Sequence, residues 1–325
     1  MALMASSYSW NPLELIEETC CPLCGHASYY KIFTRADKLP LHECTDCRFV
    51  YLGLRPNEKA LDRYYADQYF DNSATYQHYF DYAQAVTDLG YCPRIARMKP
   101  FVENWHNKRV LEIGCAAGST LKLLERMGAR VRGIEISAQA VTIARDHYGL
   151  DVLHSPFNAG KFIGEQFDIL LLFDVLEHLP HPGLVLDDIQ ALLAPGGILV
   201  LTVPNFNRFD QVGAKWRGVQ SYWEHLHYFR AEVLSRCLTK RNFTITEMHS
   251  FTGAAQEDIP NTEVRIRAAR NRLLGQKTLC RSWIRRLRKA KFHLTGPPDL
   301  PISSDFNGMD LFCLAQKGVG GESLL

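Results

Sequence analysis

The sequence has no apolar run long enough to span a bilayer, which excludes a helical membrane protein. Its first stretch, "MALMASSYSWNPLELIEET", does not pair a basic start with an apolar core. No secretory leader is read there, and a cytoplasmic protein is expected. Internal repeats and low-complexity tracts are also missing, which excludes solenoids and compositionally biased tails. Net charge is scarce too, at +2 over 325 residues. That balance hides an uneven distribution: Val264 to Lys291 carries eleven Lys and Arg with no Asp or Glu, leaving the rest at about −9.

Cysteine, by contrast, is plentiful for a chain expected in a reducing compartment, with ten in all. Their spacing supplies a reason. Cys21-Pro-Leu-Cys24-Gly is followed after nineteen residues by Cys44-Thr-Asp-Cys47. Each C-x2-C makes a tight knuckle with both thiolates on one side, and two knuckles close a tetrahedron. The pattern predicts a structural zinc ribbon on Cys21, Cys24, Cys44 and Cys47, with Gly25 supplying a positive φ after the first knuckle. Two disulfides or four packed thiols are the alternative. Cys20 reads as a bystander, and Cys92, Cys115, Cys237, Cys280 and Cys313 as packed thiols. The Tyr- and Phe-rich stretch that follows reads as helices packing the ribbon onto the next domain, some of its aromatics closing over a ligand.

From Arg109 the pattern becomes strand, turn, helix, repeated. "RVLEIGCAAG", "RVRGIEIS", "VLHSPF", "FDILLLFDVLEHL" and "ILVLTVPN" read as strands with their turns. "STLKLLERMG", "AQAVTIARDHYG" and "PGLVLDDIQALLAPGG" read as the helices between them. Apolar strands alternating with helices predict a parallel sheet covered on both faces. Ligands of such sheets lie beyond the strands' carboxyl ends, where "FDVLEH" falls. The first turn reads Glu112-Ile-Gly114-Cys115-Ala116-Ala-Gly118, not the G-x-G-x-x-G that cradles a pyrophosphate. Glu112 just ahead of the turn repels phosphate and suits an ammonium group. Glu135, ending the second strand, is placed to accept both hydroxyls of a ribose. A ribose and an ammonium without phosphate fit S-adenosylmethionine.

"VLEIGCAAGSTLKLL", "VRGIEIS", "FDILLLFDVLEHLPHP", "LLAPGGILVLTVPN" and "YWEHLHYF" together resemble the class I S-adenosylmethionine-dependent methyltransferases. The resemblance covers roughly residues 100–250 and a last strand at "MDLFCLAQK". It implies a Rossmann-like α/β fold with a seven-stranded sheet. It also implies cofactor contacts from Gly114, Cys115, Ala116 and Gly118 through the loop backbone, Glu112 at the methionine amine and Glu135 at the ribose. Ile136, Ser155 and Phe157 would meet adenine, with Phe173 and Asp174 at the methionine end. Two positions depart from the usual pattern: Ala116 stands where the family has its middle glycine, and Ser155 where many relatives have Asp.

The loop after the fourth strand lacks the Asn/Asp-Pro-Pro-Tyr/Phe of methyltransferases acting on planar nitrogens. A carbon or hydroxyl acceptor that must lose a proton is expected instead. His178 follows the strand, and Tyr222, Glu224, His225 and His227 follow the next one. The stretch Tyr222-x-Glu224-His225 is similar to the active-site segment of deoxysugar C-methyltransferases, which also begin with a zinc module. In that family a histidine or tyrosine takes the proton. Here His225 or His178 is expected as the base, with Tyr222 and Glu224 beside it and Glu177 orienting its neighbours; a helix-start cap for His178 and structural hydrogen bonding for His225 and His227 are the alternatives. His181 and His227 are secondary candidates.

The sequence thus divides into an N-terminal segment and ribbon over 1–52, a helical linker or lid over 53–100, and a methyltransferase domain over 101–325 with a basic helical insertion at 254–300. The insertion reads as a cap gripping the phosphates of a nucleotide-linked acceptor. An RNA contact or adsorption to anionic lipid are the other readings. The leading expectation is methylation of a sugar or related metabolite. The rivals are an RNA methyltransferase and a cofactor-binding protein without turnover.

Overall fold

The computed structural model describes residues 10–68, 83–84, 86–88, 90, 92–220, 224–251, 302–303, 306 and 308–319. The basic insertion and Tyr222 lie outside the described residues. Short strands β1 (Leu15–Glu17), β2 (Tyr29–Thr34), β3 (Pro40–Cys44), β4 (Val50–Leu52) and β5 (Leu54–Pro56) build the N-terminal module. Helix α1 (Glu58–Arg63) follows, its first turn capped by the Asn57 side chain accepting from Ala60 N at 2.9 Å.

The main sheet contains β6 (Arg109–Ile113), β7 (Arg130–Glu135), β8 (Val152–His154), β9 (Phe167–Phe173), β10 (Leu193–Pro204), β12 (Phe243–Phe251), β13 (Ile302–Ser303) and β14 (Asp310–Lys317). Between β10 and β12 lies β11 (His227–Tyr228). The strand order is β13-β12-β14-β10-β9-β6-β7-β8. The five strands from β6 to β10 are parallel; β14 runs antiparallel between β10 and β12. The seven expected strands are all present, and the two-residue β13 adds an eighth at the edge.

Strand β9 shows why the sheet sits in the middle. Leu170 and Leu172 join the apolar cluster on one face, and Ile169, Leu171 and Phe173 join that on the other. A strand buried on both faces needs no polar alternation. The helix before β10 differs from the sequence expectation. It spans Pro182–Leu192, and the Ala-Pro-Gly-Gly segment belongs to β10 as a register shift between Leu193 and Ile198, not to a helix stop. Gly196 there takes a φ of +73°.

The N-terminal module is stitched to the main domain through its backbone. β11 pairs antiparallel with β4, completing a four-stranded sheet of order β11-β4-β3-β2. Arg35, fully buried, donates from Nη1 to the His225 carbonyl at 2.8 Å and to the Tyr228 hydroxyl at 2.9 Å. Among the described residues no helix is long and apolar enough to cross a membrane.

Candidate active site and metal ribbon

The four ribbon cysteines converge, with Cys21 Sγ 3.6 Å from Cys47 Sγ and Cys24 Sγ 3.6 Å from Cys44 Sγ. A tetrahedral ion with Zn–S bonds near 2.3 Å separates its sulfurs by about 3.8 Å, so the set fits zinc. Gly25 has the expected φ of +77°. Arg236 donates to the Cys47 carbonyl at 2.7 Å, pinning the second knuckle to the main domain. Cys20 is exposed, whereas Cys92, Cys115, Cys237 and Cys313 are buried free thiols. Cys280 lies outside the described residues.

The glycine loop follows β6. Gly114 and Gly118 have φ of +67° and +76°, and a Cβ on Gly114 would stand 2.5 Å from Val175 Cγ2. Ala116 also adopts a positive φ, +46°, in the place where glycine is easiest. Glu135 holds it there: one carboxylate oxygen accepts from Ala116 N at 2.9 Å and the other from Ser137 N at 2.9 Å. This carboxylate joins the ends of β6 and β7. Burial raises its pKa, against the pull of those amides. Cys115 turns its side chain into the core, so only its backbone faces the loop.

Glu112 is buried at the end of β6, and burial pushes its carboxyl up to about 8, with Arg94 opposing. Arg94 was not foreseen. It pairs with Asp174, and its guanidinium lies 4.8 Å from the centre of the Phe173 ring. Asp174 has a φ of +58° and accepts from Thr202 Oγ1 at 2.7 Å. Asp310 on β14, near Asp174, is raised to about 7 by burial and by that neighbouring charge. An arginine among three carboxyls gives this end of the sheet groups for both ends of an amino acid.

Beyond β7 and β8 lies an open cleft of about 410 Å3, lined by Ile136, His154, Ser155 and Pro156 together with Asp62, Arg63 and Ala66. Its volume suits a small-molecule ligand. Phe157 is not in its lining; it packs, partly buried, on the main core.

The acceptor-side candidates gather at one place. His178 Nδ1 lies 2.8 Å from the Tyr65 hydroxyl and 3.3 Å from the Glu224 carbonyl oxygen. The His178 and His225 rings meet edge to face, with centres 4.8 Å apart. Burial lowers the His178 pKa to about 4 and that of His225 well below the ordinary value, so both imidazoles are neutral near pH 7. Glu224 is buried with a raised pKa. His227 and His181 lie apart. His227 Nε2 is 3.0 Å from the Leu179 carbonyl, within β11, and exposed His181 is 3.0 Å from Glu58 Oε1. Sequence reasoning also missed Arg35 and the depth of Glu177. Tyr65 was legible only as one of many aromatics in its stretch.

The methyltransferase domain matches residues 82–248, half of the chain. The chain belongs to this methyltransferase family. Its curated relatives include the ubiquinone biosynthesis O-methyltransferase of Actinobacillus pleuropneumoniae, 31% identical over 108 residues, covering 30% of this chain and 46% of that protein. The protein of the same name from Psychrobacter arcticus is 33% identical over 133 residues, covering 35% of this chain and 52% of that one. The chain thus spans about half the length of these relatives. Among solved structures, the magnesium protoporphyrin IX methyltransferase of Synechocystis, with bound SAH, superposes with a TM-score of 0.46 at 14% identity, covering 81% of this chain and 100% of that one.

Proposed function

We propose that this protein transfers a methyl group from S-adenosylmethionine to a hydroxyl of a small-molecule acceptor. The observation that carries the reading is the row of carboxyls at the ends of β6, β7 and β9, with Arg94 among them and the cleft beside β8. The cofactor's adenine fits the cleft beside Ile136 and Ser155. Its ribose meets Glu135. The loop backbone of Gly114, Cys115, Ala116 and Gly118 passes beneath. Its methionine end lies between Glu112, Phe173 and Asp174, with Arg94 matching the carboxylate.

The sulfonium is then presented toward Glu177, His178, Glu224 and His225, where the acceptor loses its proton; Tyr222 belongs to the same segment. The O-methyltransferase names of the relatives favour oxygen over carbon as the methylated atom, and sugars and other polyhydroxylated metabolites remain the acceptor class. Cys21, Cys24, Cys44 and Cys47 would hold a zinc ion that supplies folding energy to the module whose β4 pairs with β11.

The test is incubation with S-adenosylmethionine carrying a deuterated methyl group and a panel of catechols, sugars and nucleotide-linked keto sugars, read by mass spectrometry. A labelled O-methyl product together with S-adenosylhomocysteine supports the reading. A labelled ring carbon moves the chemistry to carbon. A folded chain that binds the cofactor but releases no S-adenosylhomocysteine with any acceptor overturns it.

A further inference from the structure

Glu177 poses a problem that the fold alone does not explain. Its side chain is completely buried, and neither carboxyl oxygen has a hydrogen-bond partner among the described residues. Buried polar groups are nearly always paired, because an unpaired one forfeits its hydration without return. His178 Nε2 is 3.8 Å from Glu177 Oε1, too far for a hydrogen bond. Glu177, His178 and His225 nevertheless each offer a donor atom, and these three atoms lie within 4.8 Å of one another.

The tautomer of His178 completes the picture. Nδ1 faces the Glu224 carbonyl, which can only accept, and the Tyr65 hydroxyl, which can accept too. The Tyr65 contact accepts either tautomer, whereas the carbonyl contact needs a proton on Nδ1. That contact favours the tautomer with Nε2, on the Glu177 side, unprotonated. A ring nitrogen held by a backbone carbonyl while the other points at a carboxylate and a second imidazole is the usual outer support of a metal-bound histidine.

We propose that Glu177, His178 and His225 form a second metal site, separate from the cysteine ribbon, that takes a divalent first-row transition ion such as zinc, cobalt or manganese. Two imidazoles and one carboxylate suit such ions better than magnesium or calcium, which prefer all-oxygen shells. Donor bonds of about 2.1 Å need donor pairs roughly 3–3.5 Å apart, so side-chain adjustments of about 1 Å close the set. Three protein ligands leave a position open. His178 is the least buried of the three, with 13% of its side chain exposed, and marks the way in. The ion would lend Lewis acidity to an acceptor oxygen, which is how this cluster would draw out the acceptor's proton. The inference rests on the proposed methyl transfer only for the acceptor's position, not for the site itself.

The test is metal counting on the full chain. The protein is stripped with chelator, reloaded with cobalt(II), and its cobalt content and absorption spectrum are recorded. The wild type should hold two ions per chain: one with the intense thiolate-to-cobalt band of the ribbon, one with only the weak ligand-field bands of nitrogen and oxygen donors. Glu177→Gln and His225→Gln should each hold one ion and keep the thiolate band. A wild type that holds a single ion overturns the site, and so does a folded Glu177→Gln chain that still holds two. Where a variant fails to fold, the wild-type count decides alone. Titration of S-adenosylmethionine into the folded, cobalt-reloaded chain separates the two ideas, because failure to bind the cofactor would refute the methyl-transfer reading and leave the cobalt count standing.

Discussion

Replacing Glu135 by glutamine removes one charge and keeps the shape. In the native chain its two oxygens accept from Ala116 N and Ser137 N, each at 2.9 Å and buried. The amide oxygen of glutamine can keep one of these bonds, but its NH2 group then faces the other N–H. A hydrogen bond to a charged group contributes about 1.5–3 kcal/mol, and part of this loss is returned because a buried carboxylate is no longer desolvated. The net cost is about 2 kcal/mol, or roughly 30-fold in the folding equilibrium. The loss falls on the loop itself, since Ala116 no longer has an anchor for its left-handed backbone, which costs alanine about 1–2 kcal/mol. Cofactor affinity should drop by more than about 30-fold, because a ribose hydroxyl loses its charged acceptor as the loop loosens. Urea unfolding with and without S-adenosylmethionine reads both effects. A Glu135→Gln chain with the wild-type midpoint, shifted equally by cofactor, would refute the reasoning.

Gly118→Ala places a methyl 2.5 Å from Leu150 Cδ1 at a φ of +76°, so a loss of about 2–4 kcal/mol is expected in denaturant unfolding. Glu112 gives a pH signature, since its folded pKa of about 8 lies above the reference 4.5. The fold favours the protonated acid, so its contribution is complete below about pH 4.5 and is lost as pH rises through about 8. The Glu112→Gln chain should therefore lose less stability than wild type between pH 5 and pH 8, by on the order of 1–4 kcal/mol; parallel pH profiles would remove Glu112 as the cause. Cys21→Ser should lose the ribbon's ion and its thiolate spectrum and lower Tm, and a variant with an unchanged melting curve would show that the ribbon adds no stability.

What the sequence shows depends on how far apart the partners lie. The ribbon was legible because each knuckle is complete within four residues. The loop from Glu112 to Gly118 was legible because turn and acid are adjacent, and Glu135 because it ends the next strand. Ala116 was readable as a departure, but the way it is accommodated was not: its positive φ depends on Glu135, nineteen residues away. Arg35 could not be placed at all, because its partner Tyr228 is 193 residues on and is reached only when β11 joins the ribbon sheet. Arg94 sits in a short helix with no motif, and its role appears only when Asp174 is brought beside it. Glu177 reads in sequence as a helper of His178. Its complete burial is a property of the packed core and leaves no mark on residue spacing.

The measurement that bears most directly on the account is a calorimetric titration of S-adenosylmethionine into the folded wild-type chain. One molecule bound per chain, with affinity weakened by more than about 30-fold in Glu135→Gln, is the predicted result. A well-folded chain that shows no saturable binding would contradict the cofactor site, and with it the proposed methyl transfer.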